Sequence, residues 1–318
     1  MSIANPNLDG LLPDNLRNNS LRKWACIASL LTASLLIIAK FVAYIITGSV
    51  SIMTSLLDST FDLMASTVTL FSILHAMTPA DKEHRFGHSK IEAMAALGQA
   101  LFIFASSCYL LFESLHRFIH PQPVRAAAVG IGVMFLSVAL TVFLVGFQRY
   151  VIRRTKSVAI SADHLHYKGD LFMNAGVLAA LSLGAYGDWP YFDPLFAAVI
   201  SCVMLYSARS IGRESFDILM DRELSDADRL TIEKLVKAHP AVRSIHDLRT
   251  RHDSRQIFIE FHIEVDGELS LAKAHVITED LEGALYKTFP KAEVLIHQEP
   301  AGLAHHRMDA GLKTSSPA

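Results

Sequence analysis

The sequence predicts an α-helical membrane protein: six transmembrane helices followed by a C-terminal cytoplasmic α+β domain. Three observations predict it. Hydrophobic residues make up 51% of the 318 and charged residues only 19%, against about 25% charged in ordinary soluble domains, and mean hydropathy is positive, +0.32. Six apolar stretches lie between residues 22 and 212, each of roughly 20 residues or more, enough to cross a hydrocarbon core about 30 Å thick. From 213 onward the pattern changes to the alternations of a soluble domain.

Residues 1–21 read as a polar cytoplasmic tail, because the apolar run after them is too long for a signal-peptide core and has no small-residue cleavage site behind it. The transmembrane domain, 22–212, places its helices near 22–47, 49–76, 91–117, 125–147, 158–184 and 192–212. Arg17, Arg22 and Lys23 precede helix 1; Lys82, Arg85 and Lys90 join helices 2 and 3; Arg149, Arg153, Arg154 and Lys156 join helices 4 and 5; Arg209 and Arg213 close helix 6. Only Arg117 and Arg125 fall on the other side. Basic residues stay in the cytoplasm, so both termini are expected there, as an even number of crossings requires.

The cytoplasmic domain, 213–303, opens with a helix start signal at Ser225-Asp226-Ala227-Asp228 and a stop at Pro240. Two alternating runs, Val242–Arg251 and Gln256–Val265, flank a polar His252-Asp253-Ser254-Arg255 turn and read as a hairpin. A helix from about 270 to 288 and a strand Glu293–His297 complete an α-β-β-α-β, metallochaperone-like order. Residues 304–318 read as a polar tail.

A net charge of −2 from 29 basic and 31 acidic residues gives no field that would draw the chain onto nucleic acid. Cys26, Cys108 and Cys202 are odd in number and scattered through apolar runs, so they suit core positions rather than disulfides or a CxxC metal site. Fifteen histidines fall mostly in tight groups, and imidazole is a common transition-metal ligand.

Helix 2 holds Asp58 and Asp62 at i and i+4, one face and about 6 Å apart along the axis. A carboxylate at bilayer depth costs about 2.5–3.5 kcal/mol on insertion scales, so two together point to a pathway or a bound cation. The bland alternative is a pair hydrogen-bonded to Ser and Thr inside the bundle. His166 and Asp170 repeat the spacing on helix 5, and one imidazole with three carboxylates is a tetrahedral set suited to Zn²⁺. Fe²⁺, Cd²⁺, Mn²⁺ and Co²⁺ stay open on ligand type. Asp163 and His164, nearer the cytoplasmic end, read as entrance or solvated groups rather than ligands. Lys40 in helix 1 is costly unless it snorkels or lines water, and has no assigned role. Between helices 2 and 3, Asp81, His84 and His88 form a second cluster, with Glu83 an alternative carboxylate. Three protein ligands would leave a position for water and favour exchangeable binding. His246, His262, His275, His297 and Glu299 come from separate strands and a helix, so only folding or dimerisation could gather them.

At these residues the sequence resembles the cation diffusion facilitator family, most closely its bacterial zinc and ferrous-iron efflux transporters, from helix 1 to about Pro300. The resemblance rests on Leu57-Asp58 through Asp62, Asp81…His84…His88, His166…Asp170, His246-Asp247-Leu248-Arg249-Thr250-Arg251 and His297-Gln298-Glu299-Pro300. It implies a homodimer in the lipid bilayer of the plasma (bacterial inner) membrane, exporting Zn²⁺, with Fe²⁺ and Cd²⁺ possible, in exchange for protons by alternating access. It implies a transport site at Asp58, Asp62, His166 and Asp170 and a loop site at Asp81, His84 and His88. A binuclear zinc site at the dimer interface is implied at His246, His262, His275, His297 and Glu299. The chain has Glu299 where close relatives have Asp, which lengthens that ligand by one methylene. Lys90 matches a lysine that pairs with an aspartate after helix 6, here Asp221; the bland reading is a snorkelling interfacial lysine.

Two other classes fit the sequence less well. A membrane metallohydrolase needs HExxH on a helix, which the sequence lacks, and Lys168-Gly169-Asp170 lacks the first glycine of GxGD. A metal sensor without transport would tolerate loss of the midplane carboxylates better than loss of the cytoplasmic histidines.

Overall fold

The computed structural model describes residues 12–47, 50–120, 128–184, 192–290 and 292–302. Residues 1–11 of the N-terminal tail, Arg125, and the C-terminal tail with His305 and His306 lie outside the described residues. The chain divides into two compact units, one up to Phe216 and one from Asp217.

The first unit is built from α1 (Leu12–Thr47), α2 (Val50–Ala76), α3 (Lys90–Ile119), α4 (Ala128–Thr155), α5 (Val158–Gly184) and α6 (Phe192–Leu219). Three helices extend beyond the expected bounds: α1 starts before residue 22, α4 passes 147 and α6 passes 212. Hydropathy marks where a helix leaves lipid; in α4 and α6, Arg and Glu of high helix propensity then continue it, whereas α1 begins through Asp14, Asn15, Asn18 and Asn19, for which propensity gives no such reason. Among the described residues, four segments are long and apolar enough to span a bilayer: Asn18–Ile46, Lys90–Ile119, Ile131–Thr155 and Pro194–Leu219. Outward-facing Leu31, Ile45, Phe71, Phe112, Phe143 and Tyr206 are exposed, as a lipid-facing surface requires and a water-facing one would not. Inward positions are small. Ala25, Ala33, Ala43, Ala93, Ala96 and Ala100 are buried, and side chains of that size let membrane helices approach closely. α2 and α5 pack on each other and on α3; α2 also packs on α1, and α5 on α4.

The second unit has α7 (Asp226–Lys237), β1 (Ser244–His252), β2 (Ile257–Val265), α8 (Leu271–Thr288) and β3 (Ala292–Pro300), the α-β-β-α-β order read from the sequence. Ser225 and Ser270 cap the two helices by accepting from the amides of Asp228 and Lys273. In the hairpin turn, Asp253 Oδ1 accepts from the amides of Arg255 (3.0 Å) and Gln256 (2.8 Å), and Ser254 takes φ 74°. Strand order is β1-β2-β3, antiparallel then parallel. Odd-numbered Ile259, Phe261 and Ile263 of β2 pack on Ile232 of α7 and Leu281 and Leu285 of α8. Alternation therefore sends even-numbered His262 and Glu264 to the opposite face of the sheet.

Candidate metal centres

In the helical unit, α2 and α5 place Asp62, His166 and Asp170 together, with one ligand atom from each lying within 4.8 Å of the others. His166 Nε2 is 2.7 Å from Asp62 Oδ1 and 3.8 Å from Asp170 Oδ2. The i,i+4 spacing on α5 stacks His166 and Asp170 one turn apart, and the packing of α5 on α2 supplies the third group. Beside them is a cavity of about 110 Å³, bounded by Ile103 of α3, Gly169 of α5 and Ile200 and Met204 of α6. Gly169 lies against the end of the Met204 side chain: a Cβ there would sit 2.5 Å from Met204 Cε and displace that terminal methyl. Asp58, expected as the fourth member, lies one turn before Asp62, is exposed, and is not gathered with these three.

Asp163 is neither at an entrance nor solvated. It is 2% exposed, because α5 turns it toward α1, α2 and α4 rather than toward water. Its carboxylate accepts from Ser29 Oγ at 2.7 Å, Gln148 Nε2 at 2.8 Å and Ser66 Oγ at 3.3 Å, and the Tyr167 hydroxyl lies 2.9 Å from Ser66 Oγ. Those three partners come from three other helices, so no local spacing could announce them. Lys40 is also buried. Its Nζ donates to Ser55 O (3.0 Å) and Ser59 Oγ (2.6 Å) on α2, instead of snorkelling to an interface. Arg22, counted as an orienting charge, is bound to Glu92 (2.9 Å) and donates to Thr155 O (2.8 Å), tying α1 to α3 and α4.

The α2–α3 loop gathers Asp81, His84 and His88 within the same 4.8 Å limit. His84 Nδ1 is 3.5 Å from Asp81 Oδ1 and His88 Nε2 is 3.4 Å from Asp81 Oδ2. The His84 amide, donating to Asp81 Oδ1 at 2.6 Å, together with the Glu83 amide, holds the Asp81 carboxyl below the usual carboxylate range. Gly87 at φ 85° allows the tight reversal that returns His88 to Asp81. His75 stacks edge-on against His88, with ring centroids 4.9 Å apart.

In the second unit the sheet register aligns His246 with His262 and His262 with His297, one histidine per strand. Glu299 Oε1 lies 2.9 Å from His262 Nδ1 and 3.6 Å from His297 Nε2, and its Oε2 is 3.2 Å from His246 Nε2. His246, His262 and Glu299 form the tight group. Both ring nitrogens of His246 are buried without a hydrogen bond, the condition of a side chain prepared for a ligand this protein would have to import. The donor set of imidazoles and a carboxylate fits Zn²⁺. His275 stands apart, exposed on α8 and 3.6 Å from Glu279. Glu264, absent from the sequence reading, pairs in register with Glu299 and reaches within 4.0 Å of His246; its signal was the His262…Glu264 i,i+2 spacing. Asp221 lies 3.5 Å from Arg251 Nη1 in this unit.

Two family models match the chain: the cation efflux transmembrane domain over residues 26–220 and the cation efflux protein cytoplasmic domain over residues 224–301. The cation-efflux pump FieF of Klebsiella pneumoniae subsp. pneumoniae is 43% identical over 279 residues, covering 88% of this chain and 93% of that protein. FieF of Cronobacter sakazakii is 44% identical over the same length and coverage. Among solved structures, the metal-bound C-terminal domain of the CzcD transporter from Thermotoga maritima is 30% identical, covers 26% of this chain and all of that one, and superposes with a TM-score of 0.24.

Proposed function

This chain belongs to the cation diffusion facilitator (cation efflux) family, and from that premise we propose that it exports divalent metal cations, Zn²⁺ first with Fe²⁺ and Cd²⁺ as further cargo, as a proton antiporter. The observation that carries the proposal is the meeting of Asp62, His166 and Asp170 between α2 and α5 inside a helical unit whose outer faces are apolar. Imidazole and carboxylate oxygens bind zinc only when deprotonated, so metal and H⁺ compete for the same atoms. Uptake of protons therefore drives release of the ion. Asp58 is the fourth ligand in this reading; it lies on the same helix as Asp62, one turn away, and alternating access supplies the movement that completes the set.

The rest of the proposal assigns the remaining groups. All six helices cross the membrane, both termini are cytoplasmic, and a homodimer works in the bacterial inner membrane. Residues 1–21, 22–212, 213–303 and 304–318 serve as tail, transport domain, metal-binding dimerisation domain and tail. Asp81, His84 and His88 hold a loop metal. His246, His262, His297 and Glu299 hold regulatory Zn²⁺, to which His275 adds when a second protomer docks. Lys90 and Asp221 form an ion pair between the domains. The metal itself supplies only a crosslink between ligands there; the sheet register supplies their alignment.

A strain lacking its own zinc exporters tests this. Expressing the chain should lower cellular Zn²⁺ under zinc load, and Asp62→Ala should abolish the effect at equal protein level. Equal lowering by Asp62→Ala would contradict the proposal.

A further inference from the structure

The side chain that the proposed chemistry leaves unused is Lys40. It sits on α1, is buried, and is held by two neutral oxygens of α2: the carbonyl of Ser55 and the hydroxyl of Ser59, at 3.0 and 2.6 Å. Those residues bracket Asp58 on its own helix. A buried ammonium in a membrane helix is costly unless nearby negative charge compensates it. Asp58 lies between these two anchors and Asp62 three residues beyond Ser59, the two acidic side chains of α2. Three carboxylates, a neutral imidazole and one ammonium leave two negative charges, the number a divalent cation neutralises. Without the ammonium the fully deprotonated site that receives the ion would hold three in a low-dielectric setting, where each charge weighs more than in water.

We propose that Lys40 is a positioning residue that acts as the built-in counter-cation of the membrane metal site, matching its charge to a divalent ion and weakening its hold so that the ion can leave. This rests on the reading of Asp58, Asp62, His166 and Asp170 as the transport site. Lys40 touches no ligand atom; it acts through the field on the ligands. When the ion leaves, the incoming protons and the tethered ammonium together supply the compensation that the metal gave. Metal binding therefore has to work against Lys40, and release is favoured by it. A lysine that merely pinned α1 to α2 would do the opposite, because losing it would loosen the site.

The test is a Zn²⁺ titration of the full-length protein in detergent, on a background carrying His84→Ala and His262→Ala so that the loop and sheet clusters are weakened. Lys40→Gln keeps a donor for Ser55 O and Ser59 Oγ but removes the charge. It is expected to bind Zn²⁺ about tenfold or more tightly than the background and to release it more slowly on dilution into chelator. Lys40→Arg should restore the background affinity. Unchanged or weaker binding by Lys40→Gln overturns the proposal. If Lys40→Gln cannot be purified without metal, purification in Zn²⁺ should rescue it, since the ion then neutralises the site; failure with Zn²⁺ as well, with Lys40→Arg folding normally, shows a structural pin and overturns it. Asp62→Ala in the same background separates the two readings. If it binds Zn²⁺ as the background does, the transport-site assignment fails, whatever Lys40→Gln does.

Discussion

His166 is where, in the proposed transport site, residue chemistry would most directly set selectivity. Its Nε2 lies 2.7 Å from Asp62 Oδ1, so it presents a nitrogen donor among carboxylate oxygens, and nitrogen favours zinc over harder ions. Replacing it with Asp makes the set all-oxygen. His166→Asp is expected to lose Zn²⁺ preference over Mn²⁺ in competition binding, by about tenfold or more for one donor exchange at roughly 1.4 kcal/mol; unchanged discrimination would remove His166 from the ligand set. In the loop, the His84 and Glu83 amides favour the ionised form of Asp81, so its contribution is present above the ordinary carboxylate range and is lost only as pH falls through a lower value. In the metal-free protein the Asp81 carboxyl, followed by NMR, should accordingly titrate below the ordinary aspartate value of about 3.9. A midpoint at or above that value would show an ordinary carboxylate. Both clusters were legible because their members sit three or four residues apart. Asp163 was not: its ligating hydroxyls and amide belong to Ser29, Ser66 and Gln148, and burial of one residue by three other helices leaves no mark in local spacing.

At the scale of elements, the cavity beside the site is bordered by both α5 and α6. Gly169 lies against the end of the Met204 side chain, which would have to swing aside for a Cβ, and both border the cavity beside His166 and Asp170. Gly169→Leu should overfill that contact at a cost of about 1–3 kcal/mol and block the cavity. Metal flux should fall far more than protein yield, whereas wild-type flux would mean that the cavity is not on the ion's path. The sheet shows the same division between what is and is not legible. Alternation along β2 announced a polar face, yet the match of His246, His262 and His297 is a property of strand register, fixed by pairing between distant segments. A β-bulge between His246 and Arg249 shifts that register, with Asp247 at φ 50°. Helix ends were missed for a different reason, since hydropathy reports lipid contact and α1, α4 and α6 continue beyond it.

For the molecule as a whole, the helical unit would move the ion and the second unit would sense it. Glu299 contacts His246, His262 and His297, a strong cluster on a face that α7 and α8 leave uncovered. If cytoplasmic Zn²⁺ tightens a dimer through this face, reconstituted flux should rise with lumen-opposite Zn²⁺ in wild type and lose that rise in His262→Ala/His297→Ala, with the midplane site intact. Equal activation in the double variant would separate the sheet cluster from regulation.

The central claim is that export is proton-coupled and runs through Asp62, His166 and Asp170. The most direct measurement is Zn²⁺ flux into sealed proteoliposomes with and without an imposed pH gradient, for wild type and Asp62→Ala. Flux that follows the gradient in wild type and vanishes in Asp62→Ala is the predicted result. Wild-type protein that binds Zn²⁺ but gives no gradient-dependent flux would contradict the account and leave a metal-binding membrane protein that does not transport.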